Sequence, residues 1–206
     1  FRRVLFRSYT QFECPDARQM YANFEQPDLK AEFSFTVTAP NHWEVVSNSL
    51  QATRTPASGD TDVWTFDRTK RMSTYITAIV AGPYYEVHDV YAGQYGAYPL
   101  GLYCRASLGE FLDHEEIFEV TKQGFEFFEN AFECAYPFGK YDQLFVPEFN
   151  AGAMENAGCV THHEDYVFRN VPGVTTLDGD DVSAEIRGPE VTGAVSAVAE
   201  IGRAHV

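Results

Sequence analysis

The sequence predicts a mixed α+β fold, in which an antiparallel β-sandwich or saddle comes first and a region with a long helix follows. In the first half, short stretches of alternating apolar and polar residues are separated by turn-forming residues, which is typical of strands. After Asp113, apolar residues instead recur at helical spacing. Because 45% of the 206 residues are apolar and 15% are aromatic, the chain can bury a sizeable core.

Strands are predicted between about residues 30 and 88. Phe33, Phe35 and Val37 alternate with polar residues and predict the first strand. The segment Ala39-Pro40-Asn41 is expected to end it. Further strands are predicted at residues 43–47, at residues 63–66 after the turn Ser58-Gly59-Asp60, and at residues 75–81 before Gly82-Pro83.

A helix is predicted to begin after Asp113, which is a suitable N-cap because Glu116 follows three positions later. Core packing accounts for its apolar stripe better than a ligand site does. The residues of this stripe are Ile117, Phe118, Val120, Thr121, Gly124, Phe125, Phe128, Ala131 and Phe132. A connection rich in Gly and Tyr is expected at residues 91–101, an end of the helix region at Pro137-Phe138-Gly139, and strands at residues 143–149 and 159–168.

Charge and cysteine content exclude several classes of protein. The formal charge of −15 argues against a nucleic-acid or anionic-membrane surface. The four cysteines, at positions 14, 104, 134 and 159, form no C-x-x-C pair, so neither a local zinc knuckle nor a dense disulfide framework is indicated and reduced thiols are expected. No apolar run is long enough to span a membrane. We expect a cytoplasmic protein.

Both ends of the chain are expected to be non-native. Residues 1–8 can be written in codons that match a common sequencing-library adapter. The reverse complement of that adapter encodes residues 201–206 followed by a stop codon, and its leading bases can complete the codon of Glu200. The prediction is therefore that residues 1–8 and 200–206 are adapter-derived and carry no function, and that the native N-terminus is missing.

The segment Gly152-Ala153-Met154-Glu155-Asn156 is the most informative in the chain. With residues 143–149 before it and 164–168 after it, it resembles the aminopeptidase N family of zinc metallopeptidases. A second block, Gln11-Phe12-Glu13 with Asp16-Ala17-Arg18 and residues 24–31, is similar to the N-terminal β-domain of that family. The resemblance covers about residues 9–169, and the layout is most similar to bacterial members.

The resemblance implies a domain organisation. Residues 9–98 would be part of the N-terminal β-domain, and residues 99–169 would be the start of a thermolysin-like peptidase domain, truncated before its zinc-binding helices. Residues 170–199 resemble no part of the family. A frameshift, a chimeric join or divergence would each explain this. The intact family member would hold Zn²⁺ and act on peptides with a free N-terminus.

An exopeptidase must recognise a free α-ammonium group, and a desolvated cation is tolerated only against carboxylates and other acceptor oxygens. Glu155 is the best candidate for this partner, and the resemblance adds Glu13, with Gln11 beside it. Without bulky side chains, Gly152 and Ala153 would let a peptide add to the strand edge. The predicted substrate-binding residues are Gln11, Glu13, Gly152, Ala153, Met154, Glu155 and Asn156.

Plainer interpretations exist for three of these residues. Gly152 could mark an ordinary tight bend, and Asn156 could be a turn residue. Glu13 taken by itself could be a solvated strand carboxylate. The resemblance favours the functional interpretation in each case.

The zinc-binding motif His-Glu-x-x-His is absent from the sequence. His-Glu occurs at residues 114–115 and 163–164, but Phe118 and Val167 stand where the second histidine is required. His162 and His163 are adjacent residues of a predicted strand, which point to opposite faces and rarely chelate one ion. No catalytic or metal-binding residue is therefore predicted in this chain.

The leading hypothesis is a fragment of a zinc-dependent aminopeptidase that keeps the amine-recognition motif, lacks the zinc site and is inactive as it stands. One alternative is a noncatalytic relative that uses the same scaffold for protein interaction. Another is the branch of the family that also opens an epoxide, in which the motif more often begins Gly-Gly, so Ala153 argues against it. The oligomeric state is not indicated by the sequence.

Overall fold

The computed structural model describes residues 2–4, 7–13 and 15–168, and these residues form two compact units. Unit 1 comprises the described residues through Tyr84 together with residues 137–140 and 156–159. Unit 2 comprises residues 85–136, 141–155 and 160–168. The first continuous stretch of unit 1 ends at Tyr84, after which the strands belong to the sheet of unit 2. The domain boundary near residue 98 stays a prediction.

Unit 1 contains two antiparallel sheets, with strand orders β1-β2-β7-β4 and β3-β6-β5. Its strands are β1 (Arg2–Val4), β2 (Arg7–Tyr9), β3 (Thr36–Pro40), β4 (Glu44–Ser47), β5 (Gln51–Pro56), β6 (Thr61–Phe66) and β7 (Ile79–Gly82). Apolar residues from both sheets form one buried cluster, as in a β-sandwich. The members of this cluster are Ala39, Val45, Trp64, Phe66, Ile79 and Ala81.

The predicted strands of unit 1 are largely confirmed, with three differences. β3 begins at Thr36, so Phe33 and Phe35 precede it, and it continues to Pro40 although the segment from Ala39 was expected to end it. β5 was not predicted, because all of its residues are exposed and it has no apolar alternation. The strand predicted at residues 75–81 begins only at Ile79, since Thr74–Ile76 form a 3-10 turn in which the Thr77 hydroxyl donates to the Thr74 carbonyl at 2.8 Å.

Unit 2 is built on a five-stranded sheet with the order β11-β12-β10-β9-β8. Its strands are β8 (Tyr84–Gly93), β9 (Gly96–Arg105), β10 (Tyr141–Val146), β11 (Ala153–Met154) and β12 (Cys159–His163), and its helices are α1 (His114–Phe132) and α2 (Asp165–Phe168). β9 and β10 are parallel, and α1 lies between them in the chain, as a parallel connection requires. The connection predicted at residues 91–101 is wrong in its extent, because only residues 94–95 form a turn and the others belong to β8 and β9.

The N-cap prediction for α1 is confirmed: the Asp113 carboxylate accepts a hydrogen bond from the Glu116 backbone N–H at 3.3 Å. The buried face of the helix is narrower than predicted. Phe118, Thr121 and Phe125 are buried, whereas Phe132 is 44% exposed. The helix ends at Phe132, before the Pro137 segment that was expected to end the helix region, and its C-cap Glu133 has a left-handed φ of 52°.

The segment that follows β12 also differs from its prediction. The strand expected over residues 159–168 stops at His163, and α2 begins at Asp165. No helix in the described part of the chain is long and apolar enough to cross a membrane. Cys104, Cys134 and Cys159 form no disulfide among the described residues, and Cys14 lies outside them.

Candidate functional site

The predicted motif at residues 152–156 is built around β11, the terminal strand of the sheet of unit 2 in the described part of the chain. β11 pairs antiparallel with β12, so that Ala153 lies opposite His162 and Met154 opposite Thr161. The backbone N–H of His163 also donates to the Gly152 carbonyl at 2.9 Å. One side of the motif strand is therefore held by the sheet.

Burial alternates along the motif as it does along a strand. Met154 is buried, with 1% of its surface exposed, whereas Ala153 and Glu155 are half-buried. Glu155 comes directly after β11, at the point where the chain leaves the sheet. The Glu155 carboxylate can therefore reach solvent, while the preceding strand β11 is held by its pairing with β12.

Gly152 has a packing role that the sequence did not reveal. A Cβ atom at this position would overlap the hydroxyl of Tyr166, which follows β12 in α2. The missing side chain at Gly152 thus makes room for Tyr166 on that face of the strand. Nothing in the sequence pairs these two residues, because they meet only through the β11–β12 hairpin.

Asn156 begins the turn that closes this hairpin. The Cys159 N–H donates to the Asn156 carbonyl at 3.0 Å, and Gly158 has a φ of +67°. Ala157 is not in the left-handed region, so residues 156–159 form a type II turn, in which the third residue is glycine. The turn interpretation of Asn156 is therefore correct for its backbone, and the role of its fully buried side chain in binding substrate stays a prediction.

The residue that follows β12 is fixed by an ion pair. The Glu164 carboxylate accepts hydrogen bonds from Nε and Nη2 of Arg105, each at 2.7 Å. The Glu164 side chain is 3% exposed and the Arg105 side chain 15%. The sequence did not indicate this pair, because 59 residues separate its members.

The two adjacent histidines have separate environments. The His162 ring stacks on Phe145 at 5.5 Å, and burial lowers the pKa of His162 to about 4, so the imidazole is neutral. His163 Nδ1 lies 2.5 Å from an Asp165 carboxylate oxygen. Within the described ranges, no group of three or more His, Cys, Asp or Glu side chains is arranged to hold a metal ion. The described residues therefore do not fit a zinc ion.

Gln11 and Glu13 lie in unit 1, shortly after β2. Gln11 is half-buried, and Glu13 is exposed in a turn. Glu13 is therefore not a strand carboxylate, although its exposure agrees with the solvated interpretation. Their parts in substrate binding stay predictions.

The fold and the motif strand together define a class of protein: an α+β protein whose terminal strand, followed by a partly exposed carboxylate, suits the addition of a peptide strand. Comparison with known families finds two matching domains. The Peptidase M1 N-terminal domain matches residues 6–76, and the Peptidase family M1 domain matches residues 116–184. The second match reaches into the stretch after residue 169, for which the sequence had suggested no relationship, and that stretch lies outside the described residues.

Individual relatives point to the same family. The chain is 60% identical to Aminopeptidase N of Streptomyces lividans over 162 residues, which is 79% of this chain and 18% of that protein. It is 34% identical to Aminopeptidase N of Acetobacter pasteurianus over 81% of this chain and 45% of that protein. It is 32% identical to human Aminopeptidase N over 76% of this chain and 16% of that protein. The chain belongs to peptidase family M1, as a bacterial-type member of the aminopeptidase N group, and spans less than half the length of each of these relatives.

Proposed function

We propose that this chain is part of a zinc-dependent aminopeptidase that removes N-terminal residues from peptides, and that it is inactive by itself. Its relationship to aminopeptidase N supports the activity of the parent protein. The observation that carries the proposal is the position of Glu155, half-buried directly after the terminal strand β11.

In this proposal a peptide substrate adds to β11 through main-chain hydrogen bonds, and Glu155 accepts hydrogen bonds from its α-ammonium group. Ala153 leaves the strand edge accessible because its side chain is small. The pairing of β11 with β12 supports this role, since a strand that is already ordered loses little conformational entropy on binding. The parts of Gln11, Glu13, Met154 and Asn156 rest on the family resemblance.

Peptide hydrolysis itself is assigned to the intact parent protein. Zn²⁺ there would supply a Lewis acid and an activated water. We assign no metal and no catalytic residue to this chain, whose own contribution is to bind and orient the substrate amine. Peptides with a free N-terminus are the proposed partners, a nucleic acid is disfavoured by the charge of −15, and a cytoplasmic location is part of the proposal.

The test begins with the intact gene. Primers within residues 24–168 would be used to sequence the source locus outward, and the full-length product would be assayed with leucine p-nitroanilide and with its N-acetyl derivative. We expect hydrolysis of the free-amine substrate alone. Replacing Glu155 with Gln should lower kcat/KM roughly 10- to 100-fold, the value of a charged hydrogen bond.

The matched control is Glu110→Gln, which changes an exposed carboxylate of unit 2. Its kcat/KM should equal that of the wild type. Hydrolysis of the N-acetyl substrate at the same rate, or full activity of Glu155→Gln, would contradict the proposed amine recognition. A folded full-length product without peptidase activity would instead support the noncatalytic relative.

A further inference from the structure

The turn at residues 156–159 is buried even though it is a hairpin connection. Asn156, Ala157 and Cys159 each have no exposed surface. Loops usually lie on the surface because their backbone polar groups need water or another partner. The carbonyl groups of Ala157 and Gly158 accept hydrogen bonds from two side chains elsewhere in unit 1.

Asn48 supplies the first partner. It follows β4, and 4% of its surface is exposed. Its amide nitrogen donates to the Ala157 carbonyl at 2.8 Å and to the Ile76 carbonyl at 2.9 Å. Its amide oxygen accepts from the Ala78 N–H at 2.8 Å. With both amide hydrogens and the oxygen engaged, the Asn48 side chain has a single orientation, which sets where the Ala157 carbonyl lies.

Lys140 supplies the second partner. Its ammonium group donates to the Gly158 carbonyl at 3.0 Å, and 5% of its surface is exposed. A buried ammonium group is costly unless it is hydrogen-bonded. Loss of the contact with the Gly158 carbonyl would therefore be unfavourable for Lys140 as well as for the turn. Gly158 also packs directly against the Asn48 backbone: a Cβ atom there would overlap the Asn48 carbonyl oxygen.

We propose that Asn48 and Lys140 are positioning residues for the amine-recognition motif. They hold the turn that begins one residue after Glu155, so they fix the backbone at the carboxyl end of the motif, while the pairing of β11 with β12 fixes the preceding strand. The inference rests on the proposed function, since it concerns how accurately Glu155 is placed. A hydrogen bond between an ammonium group and a carboxylate weakens when its distance or angle departs from the preferred geometry, so the position of Glu155 affects the affinity for the amine.

The test uses the full-length enzyme and two ligands that differ only in the α-amine, L-leucine and 4-methylpentanoate. Calorimetry measures the association constant of each ligand. The association constant of L-leucine divided by that of 4-methylpentanoate reports amine recognition. Asn48→Ala should lower this ratio about tenfold, as expected for misplacement of a binding group. Lys140→Met, which removes the donor and keeps the chain length, should lower it as well and decides the question if Asn48→Ala does not fold.

Ser47→Ala is the matched control. Ser47 is the buried neighbour of Asn48, and its hydroxyl donates to the Ala78 carbonyl at 2.7 Å without reaching the turn. This variant should lower Tm and leave the ligand ratio unchanged. If Asn48→Ala and Lys140→Met lower Tm in the same way but keep the wild-type ratio, the two residues are merely structural and the inference is wrong. A wild-type enzyme that shows no preference for the amine would overturn the proposed function, and with it this inference.

Discussion

Arg105 and Glu164 form a bidentate ion pair in which two guanidinium nitrogens lie 2.7 Å from different oxygens of one carboxylate. The pair joins the end of β9 to the residue that follows β12. Because the Glu164 side chain is 3% exposed, solvent cannot replace the guanidinium if it is removed. The segment that follows the motif hairpin is therefore held by a contact with β9, which lies two strands away from β12 in the sheet.

Removing this guanidinium should destabilise unit 2 strongly. Arg105→Met is expected to lower the free energy of unfolding by about 3–5 kcal/mol, because it leaves a buried carboxylate without its charged partner. Urea denaturation of the purified chain measures the loss. The control is Arg68→Ala, which breaks the exposed pair with Glu32 at 3.4 Å and should change stability by less than about 1 kcal/mol. Equal losses in the two variants would show that burial of Glu164 is unimportant.

His162 should make the protein less stable in acid. Its pKa is about 4 in the folded chain and 6.5 when unperturbed, so the unfolded state binds more protons between these values. The contribution of the neutral imidazole to the free energy of unfolding is fully present above pH 6.5. It falls by roughly 3 kcal/mol on acidification to pH 4.

His162→Phe should flatten this dependence, because phenylalanine can also stack on Phe145 and does not titrate. Thermal unfolding measured from pH 4 to pH 7 compares the two proteins. An unchanged pH slope in the variant would assign the acid sensitivity to other groups.

Two glycines with the same backbone conformation should differ in their tolerance of alanine. Gly59 and Gly158 both have a φ of +67°, so Ala at either position is strained by about 1–2 kcal/mol. A Cβ at Gly59 meets nothing within 4 Å, whereas one at Gly158 overlaps the Asn48 carbonyl oxygen. Gly158→Ala should therefore lose about 2 kcal/mol more than Gly59→Ala in chemical denaturation. Equal losses would mean that backbone strain alone explains the glycine in the motif turn.

The start of α1 offers a test of the capping interaction. Asp113→Ala should destabilise the protein by about 1 kcal/mol, because the Glu116 N–H loses its acceptor. Asp113→Asn keeps an acceptor and removes the charge, so it should lose only the smaller interaction with the helix dipole. Denaturation midpoints of the two variants separate these contributions, and an Asn variant as unstable as the Ala variant would assign the effect to charge.

The sequence by itself determined the parts that depend on local pattern. The pattern around Val37 indicated the strand β3, although Phe33 and Phe35 precede it, and Asp113 with Glu116 indicated the start of α1. The motif at residues 152–156 and its flanks indicated the family. These features are contained in a few consecutive residues, so no knowledge of distant neighbours is needed to detect them.

Tertiary structure decided the features that depend on residues far apart in the chain. Residues 91–101 have the composition of a connection but, apart from the turn at residues 94–95, form strands, because β8 and β9 gain hydrogen bonds within the sheet of unit 2. Asn48 has no local pattern that links it to Ala157, since 109 residues separate them. A buried carbonyl or carboxylate needs a partner, and the sequence shows the need without showing which residue folding brings there.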